Sequence, residues 1–223
     1  MMTFEGFSAI ARQAFPDLTP AQMQRYRLME GLYTDWNSRI NVISRKDIGS
    51  LYDHHVLHSL AIARYLQTCM PDTYSSWRID GSPASVLDLG TGGGFPGIPL
   101  AVMFPHVSFT LCDSIRKKTL VAKEVASALG LENLEIVNAR AETLESGFDF
   151  VVSRAVASLK DFYPWVKGKY SKGILYLKGG DVNEEIGELM ARNHLQRGSV
   201  GTWPIDSWLQ DDYFAGKFVI NIL

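Results

Sequence analysis

The stretch VLDLGTGGGFPGIPLA, residues 86–101, constrains this chain more than any other. An apolar run ends in Asp88, and five glycines follow within eight residues: Gly90, Gly92, Gly93, Gly94 and Gly97. Glycine reaches backbone angles closed to other residues and lets the main chain approach a ligand with no Cβ in the way. A bare strand-to-helix turn needs one or two such residues, so five point to a bound ligand. In a doubly wound α/β sheet, that ligand sits at the carboxyl end of the first strand.

The sequence around the loop fits such a sheet. Short apolar runs at 85–89, 107–112, 134–137, 148–153, 173–177, near 200 and at 217–222 read as strands. Helical periodicity lies between them, from 97, over 116–130 and over 184–195. Strands alternating with helices of this length form βαβ units and a parallel sheet. The Trp-Pro connection before the last strand suits an antiparallel pair at the sheet's end. Upstream, residues 4–70 carry apolar positions at helical spacing, with Thr19-Pro20 as an N-cap and first-turn pair. The segment 71–84, rich in Pro, Ser, Gly and Asp, has no sustained period and reads as a linker. The expectation is therefore an α/β fold. A helical extension spans 1–70, and a doubly wound, mostly parallel seven-stranded sheet lies in 85–223.

Composition narrows the class. With 46% apolar residues in 223, the chain can bury a sizeable core. Two unrelated cysteines, Cys69 and Cys112, give no disulfide framework. No signal-peptide pattern opens the sequence, and no apolar run approaches the roughly 20 residues that span a bilayer. These features fit a soluble, unprocessed cytoplasmic protein with no membrane partner. A net charge of −2 means that any nucleic acid must be gripped by a local basic face.

Gly92-Gly93-Gly94-Phe95-Pro96-Gly97 also satisfies the dinucleotide fingerprint GxGxxG, with Asp113 about 20 residues after the loop begins. Two details favour a cationic methyl donor. Asp88, just before the first glycine, suits a cationic amino-acid moiety and would repel a pyrophosphate. Pro96 removes an amide donor where a dinucleotide loop needs one. Asp113 can accept ribose hydroxyls from either cofactor and does not discriminate.

DLGTGGGFPGIPLA, with LCDSIRKK, ENLEIVNARAE and FDFVVSRAVASL behind it and WNSRINVIS and HHVLHSL before it, resembles the RsmG family, also called GidB. The resemblance covers roughly residues 30–180. It implies the class I methyltransferase fold, S-adenosylmethionine as cofactor, and methylation of N7 of one guanine in 16S ribosomal RNA. The substrate would be that RNA or a small-subunit precursor, with no obligate protein partner. Matched motifs carry the donor contacts to Gly90, Phe95, Ala141, Glu142 and Arg154, beside Asp88, Gly92 and Asp113 from the residue reading. His58 stands where the family pattern often has Asp.

For RNA, Lys160, Lys167, Lys169, Lys172 and Lys178 face a single acid, Asp161, within their span and interleave with aromatic residues. Lysine and stacking surfaces together suit single-stranded RNA. A helix with an aromatic core face and a solvated lysine face fits the same residues. Arg39, Arg45, Lys46 and Arg116-Lys117-Lys118 are further candidates. His54 and His58 share a helical face but lack a third ligand, so no metal site is expected. The N7 of guanine already offers a lone pair, so transfer proceeds by in-line displacement with no general base and no identifiable catalytic residue. Donor-dependent methylation of another RNA or a small molecule, a nicotinamide oxidoreductase, and a non-catalytic ribosome-assembly factor are the competing functions.

Overall fold

The computed structural model describes residues 1–79 and 84–223. Its frame is a seven-stranded sheet of order β3-β2-β1-β4-β5-β7-β6. The strands are β1 (Ala84–Leu89), β2 (Val107–Asp113), β3 (Leu134–Asn138), β4 (Phe148–Arg154), β5 (Tyr170–Gly179), β6 (Val200–Pro204) and β7 (Lys217–Ile222). β1 pairs in parallel with β2 and β4, β2 with β3, and β4 with β5. β7 runs antiparallel to both β5 and β6, so the expected antiparallel pair closes the sheet.

Strand side chains alternate between two apolar layers, as the period of two requires. Val86, Phe109, Phe150, Leu175 and Val219 point into one core, whereas Leu87, Cys112, Val151, Ile174 and Ile220 point into the other. The first layer is covered by α5 (Gly97–Met103) and α6 (Arg116–Ala128). The second is covered by α7 (Leu159–Val166) and α8 (Val182–Asn193). β1 and β4 are neighbours whose following helices cover opposite faces, which opens a crevice beyond their carboxyl ends.

The N-terminal segment forms α1 (Phe4–Ala14), α2 (Pro20–Arg39) and α3 (His58–Cys69). Thr19 caps α2 through a full capping box with Gln22, and Pro20 takes the first turn. Phe7, Tyr26, Tyr33 and Leu60 are fully buried in the same core as α5 and the sheet, so this segment is a further layer over one face. Between α2 and α3, residues Leu51–Leu57 wind as a π-helix, an uncommon form often found at functional sites.

The linker expected over 71–84 is corrected in its first part. Pro71–Arg78 is a helix, α4, started by proline at its first turn. Its Trp77 is 1% exposed and packs edge-on against Phe104 and Phe150, with ring centroids 5.1 and 5.5 Å apart. Tyr74 packs against Phe15 and Phe104, and Arg78 donates to the Met103 carbonyl, so three side chains hold a helix too short to show a sustained period. The rest of the expected linker, 80–83, lies outside the described residues.

Candidate donor site

β1 hands the chain to the glycine loop at Gly90, whose φ of 74° belongs to the left-handed region. The Gly90 and Thr91 amides both donate to the Cys112 carbonyl, at 2.8 and 3.0 Å, tying the loop to the end of β2. A Cβ on Gly90 would stand 2.3 Å from Val156 Cγ2. The loop therefore needs glycine here for both angle and space.

Asp113, the last residue of β2, has both carboxylate oxygens engaged by main-chain donors. The Gly92 amide donates to Oδ2 at 2.9 Å and the Ile115 amide to Oδ1 at 2.8 Å. Each oxygen has a second lone pair, so the oriented carboxylate can still accept two hydroxyls. It faces a cleft of about 490 Å³ whose wall includes Gly90, Asp113, Ile115, Lys118, Arg140, Ala141, Glu142, Arg154, Val156 and Trp165. Five of the expected donor contacts thus converge: Gly90, Asp113, Ala141, Glu142 and Arg154.

Three expected contacts do not line this cleft. Asp88 is fully buried behind the loop, where its Oδ2 accepts from Thr91 Oγ1 at 2.6 Å and from the Gly97 amide at 2.8 Å. Burial raises its pKa to about 7 against the opposing pull of those two hydrogen bonds. It shapes the loop from below. Phe95 is 3% exposed and backs the Arg154 guanidinium, which lies 5.2 Å from its ring centroid. Gly92 contributes its amide to Asp113, and a Cβ there would meet nothing within 4 Å.

The five lysines do not form one face. Lys160 pairs with Glu188 and Lys178 with Glu185, each at 2.9 Å, so the acids of α8 take up the two that lie toward the cleft. Lys167, Lys169 and Lys172 sit at the amino end of β5, and Lys172 pairs with Asp149 at 2.9 Å. Lys178 stands six positions along the strand from Lys172, a distance of about 20 Å. Lys169 donates to the Leu144 carbonyl. The grouping fails because the paired acids stand outside the lysine stretch in sequence, and because a strand carries its two ends to opposite sides of the sheet.

Sequence reasoning did not anticipate Arg140, Ile115 or Val156 in the wall. Each follows the carboxyl end of a strand, a position that would have flagged them. His58 is buried, its Nε2 has no hydrogen-bond partner, and its ring meets Tyr213 and Phe214 edge-on. Among the described residues, no group of three His, Cys, Asp or Glu is placed to hold a metal ion, and no helix is long and apolar enough to cross a membrane.

A mostly parallel seven-stranded sheet, a glycine loop after β1 and an oriented acid ending β2 define a Rossmann-like methyltransferase of class I. Its fold is shared by magnesium protoporphyrin IX methyltransferase from Synechocystis PCC 6803. The TM-score is 0.58 at 13% identity, over 88% of this chain and 95% of that one. The sequence goes further. The family model of GidB, rRNA small subunit methyltransferase G, matches residues 21–205. The ribosomal RNA small subunit methyltransferase G of Flavobacterium psychrophilum is 46% identical over 93% of this chain and 94% of its own length. That of Bacteroides fragilis is 50% identical over 77% of this chain and 81% of its own. The chain belongs to the GidB family of small-subunit rRNA methyltransferases.

Proposed function

We propose that this chain transfers the methyl group of S-adenosylmethionine to N7 of a guanine in 16S ribosomal RNA, free or within a small-subunit precursor, in the cytoplasm. The observation that carries the donor assignment is the Asp113 carboxylate, held by two amides at the edge of a cleft of about 490 Å³. A cleft of this size suits a nucleoside with an amino-acid tail. Asp113 accepts the ribose hydroxyls, and Ala141 and Glu142 meet the adenine edge. Arg154, partly buried and facing the cleft, binds the donor carboxylate. Gly90 lets the main chain approach the ligand, while Ile115 and Val156 give apolar walls. When bound, the donor supplies a methyl group on a sulfonium, which is already activated.

Guanine N7 attacks with a lone pair in place, so the chain's work is alignment, worth several kcal/mol of barrier, and no side chain has to take a proton. For RNA, Arg116 and Lys117 at the start of α6 and Arg140 after β3 are exposed at the cleft end of the sheet. Arg45 and Lys46 are exposed beside Asp47, whose carboxylate bonds His55, which in turn bonds Arg154. None of these five is in an ion pair among the described residues, and their charge is open to phosphate. Calorimetric titration tests the donor reading. S-adenosylmethionine and its demethylated product bind, whereas NAD does not. NAD binding of equal or greater strength overturns it.

A further inference from the structure

Arg154 ends β4 at the cleft wall, yet no carboxylate touches it among the described residues. Its Nη1 donates to the His54 carbonyl at 3.2 Å and its Nη2 to His55 Nδ1 at 3.1 Å. Arginine keeps its proton and offers donors only, so His55 Nδ1 must hold a lone pair. The ring proton is then on Nε2, which donates to Asp47 Oδ2 at 2.7 Å. The other Asp47 oxygen bonds His54 Nδ1 at 2.5 Å. Within the π-helical winding of Leu51–Leu57, the neighbouring rings of His54 and His55 thus both reach one carboxylate.

We propose that Asp47 and His55 are positioning residues for the methyl transfer: Asp47 fixes His55 as the Nε2–H tautomer, and the bare Nδ1 holds the Arg154 guanidinium at the cleft wall. An acid placed directly on Arg154 would neutralise the cation and compete with an anionic ligand. A neutral imidazole orients the guanidinium and leaves its charge available. Of the five N–H donors of a guanidinium, two are engaged here and the others remain for the ligand. This is the arrangement by which a carboxylate fixes the tautomer and orientation of a histidine bound to a cation. The ring is 8% exposed. Burial, and then the Arg154 cation, lower its pKa to about 4, which keeps it neutral near pH 7.

The consequence for donor affinity rests on Arg154 touching the donor; the tautomer does not. Two measurements on the full chain separate them. In long-range nitrogen–proton correlation spectra with labelled histidine, His55 shows a protonated Nε2 and a bare Nδ1 from pH 6 to 8, a range chosen to bracket the ordinary histidine pKa of about 6.5. An Nδ1–H tautomer or a charged ring overturns the proposal, whatever the donor does. In calorimetry with S-adenosylhomocysteine, His55→Phe weakens binding about tenfold. His55→Asn, which keeps an acceptor near the Nδ1 position, stays within about threefold of the parent. In an Arg154→Gln background, His55→Phe has less than about a twofold further effect, because the guanidinium it acts through is gone. Equal loss in both backgrounds, or Asn as damaging as Phe, overturns the proposal. Asp47→Asn gives the same cycle through a more exposed residue should His55→Phe fail to fold. If Arg154→Gln alone leaves the affinity unchanged while the Nε2–H tautomer is present, the positioning chain stands and the donor contact of Arg154 is refuted.

Discussion

The amide of Gly92 donates to the Asp113 carboxylate at 2.9 Å across 21 residues of sequence, so the acid that faces the cleft also closes the glycine loop. Asp113→Asn disturbs both duties. Its single carbonyl oxygen can serve one of the two amides, and its NH2 group confronts the other. Donor affinity falls by more than about tenfold, the cost expected when a hydrogen bond to a charged group is removed. Calorimetry checks this, and an unchanged dissociation constant would remove Asp113 from the site.

Gly90→Ala carries two penalties, the left-handed angle and a contact of 2.3 Å with Val156 Cγ2. Stability falls by about 1–3 kcal/mol, and donor affinity falls with it. Val156→Ala in the same chain removes the clashing methyls and leaves the backbone strain, so it restores part of the loss. Urea denaturation of the parent, Gly90→Ala and the double variant checks the order. Gly90→Ala as stable as the parent would mean that the loop takes another path.

Asp88 gives stability a pH dependence of definite sign. Its native pKa is raised by burial to about 7, against 3.8 as the ordinary value. Between those values the native chain holds a proton that the unfolded chain has released, so this contribution shrinks as pH rises from about 4 to about 7. Asp88→Asn cannot ionise and escapes the loss. Relative to the parent it gains about 2–4 kcal/mol between pH 4.5 and pH 7.5. His55 and His58, held neutral by burial, act oppositely, lowering stability as pH falls below their ordinary value of 6.5. They occur in both proteins and cancel in the comparison. Urea denaturation at the two pH values checks it, and a constant difference contradicts it.

The RNA surface separates two sets of cations. Replacing Arg45, Lys46, Arg116, Lys117 and Arg140 with Gln weakens RNA binding and flattens its dependence on salt by about 0.7–0.9 unit for each phosphate no longer neutralised. Replacing Lys160, Lys167, Lys169 and Lys172 leaves affinity and salt slope near the parent's, because those lysines are ion-paired or lie at the far end of the sheet. Filter binding across salt concentrations reads both. The reverse pattern would restore the lysine stretch as the RNA face.

Sequence made the sheet legible because most strands are short apolar runs bounded by turn residues, and the central ones face two cores. It missed α4 because that helix is eight residues long and is held mainly by Tyr74 and Trp77, too short a span to show a sustained period. The cleft was legible where a residue ends a strand or follows one within a few positions, as Gly90, Asp113, Ala141 and Arg154 do. Asp88 and Phe95 lie behind the wall, and motif spacing places a residue in a loop without saying whether it faces the cleft or the core. The link from Asp47 through His55 to Arg154 joins residues about a hundred positions apart through a π-helical turn, and no spacing rule encodes it.

Mapping the methyl group on ribosomal RNA tests the central claim most directly. Unmethylated 16S RNA and small subunits are incubated with the protein and isotopically labelled S-adenosylmethionine, digested, and sequenced by mass spectrometry. One labelled guanine in 16S RNA carries the methyl group on N7, and incorporation is abolished in Asp113→Asn. Label on another atom or another base, or donor binding without methyl transfer to either substrate, would contradict it.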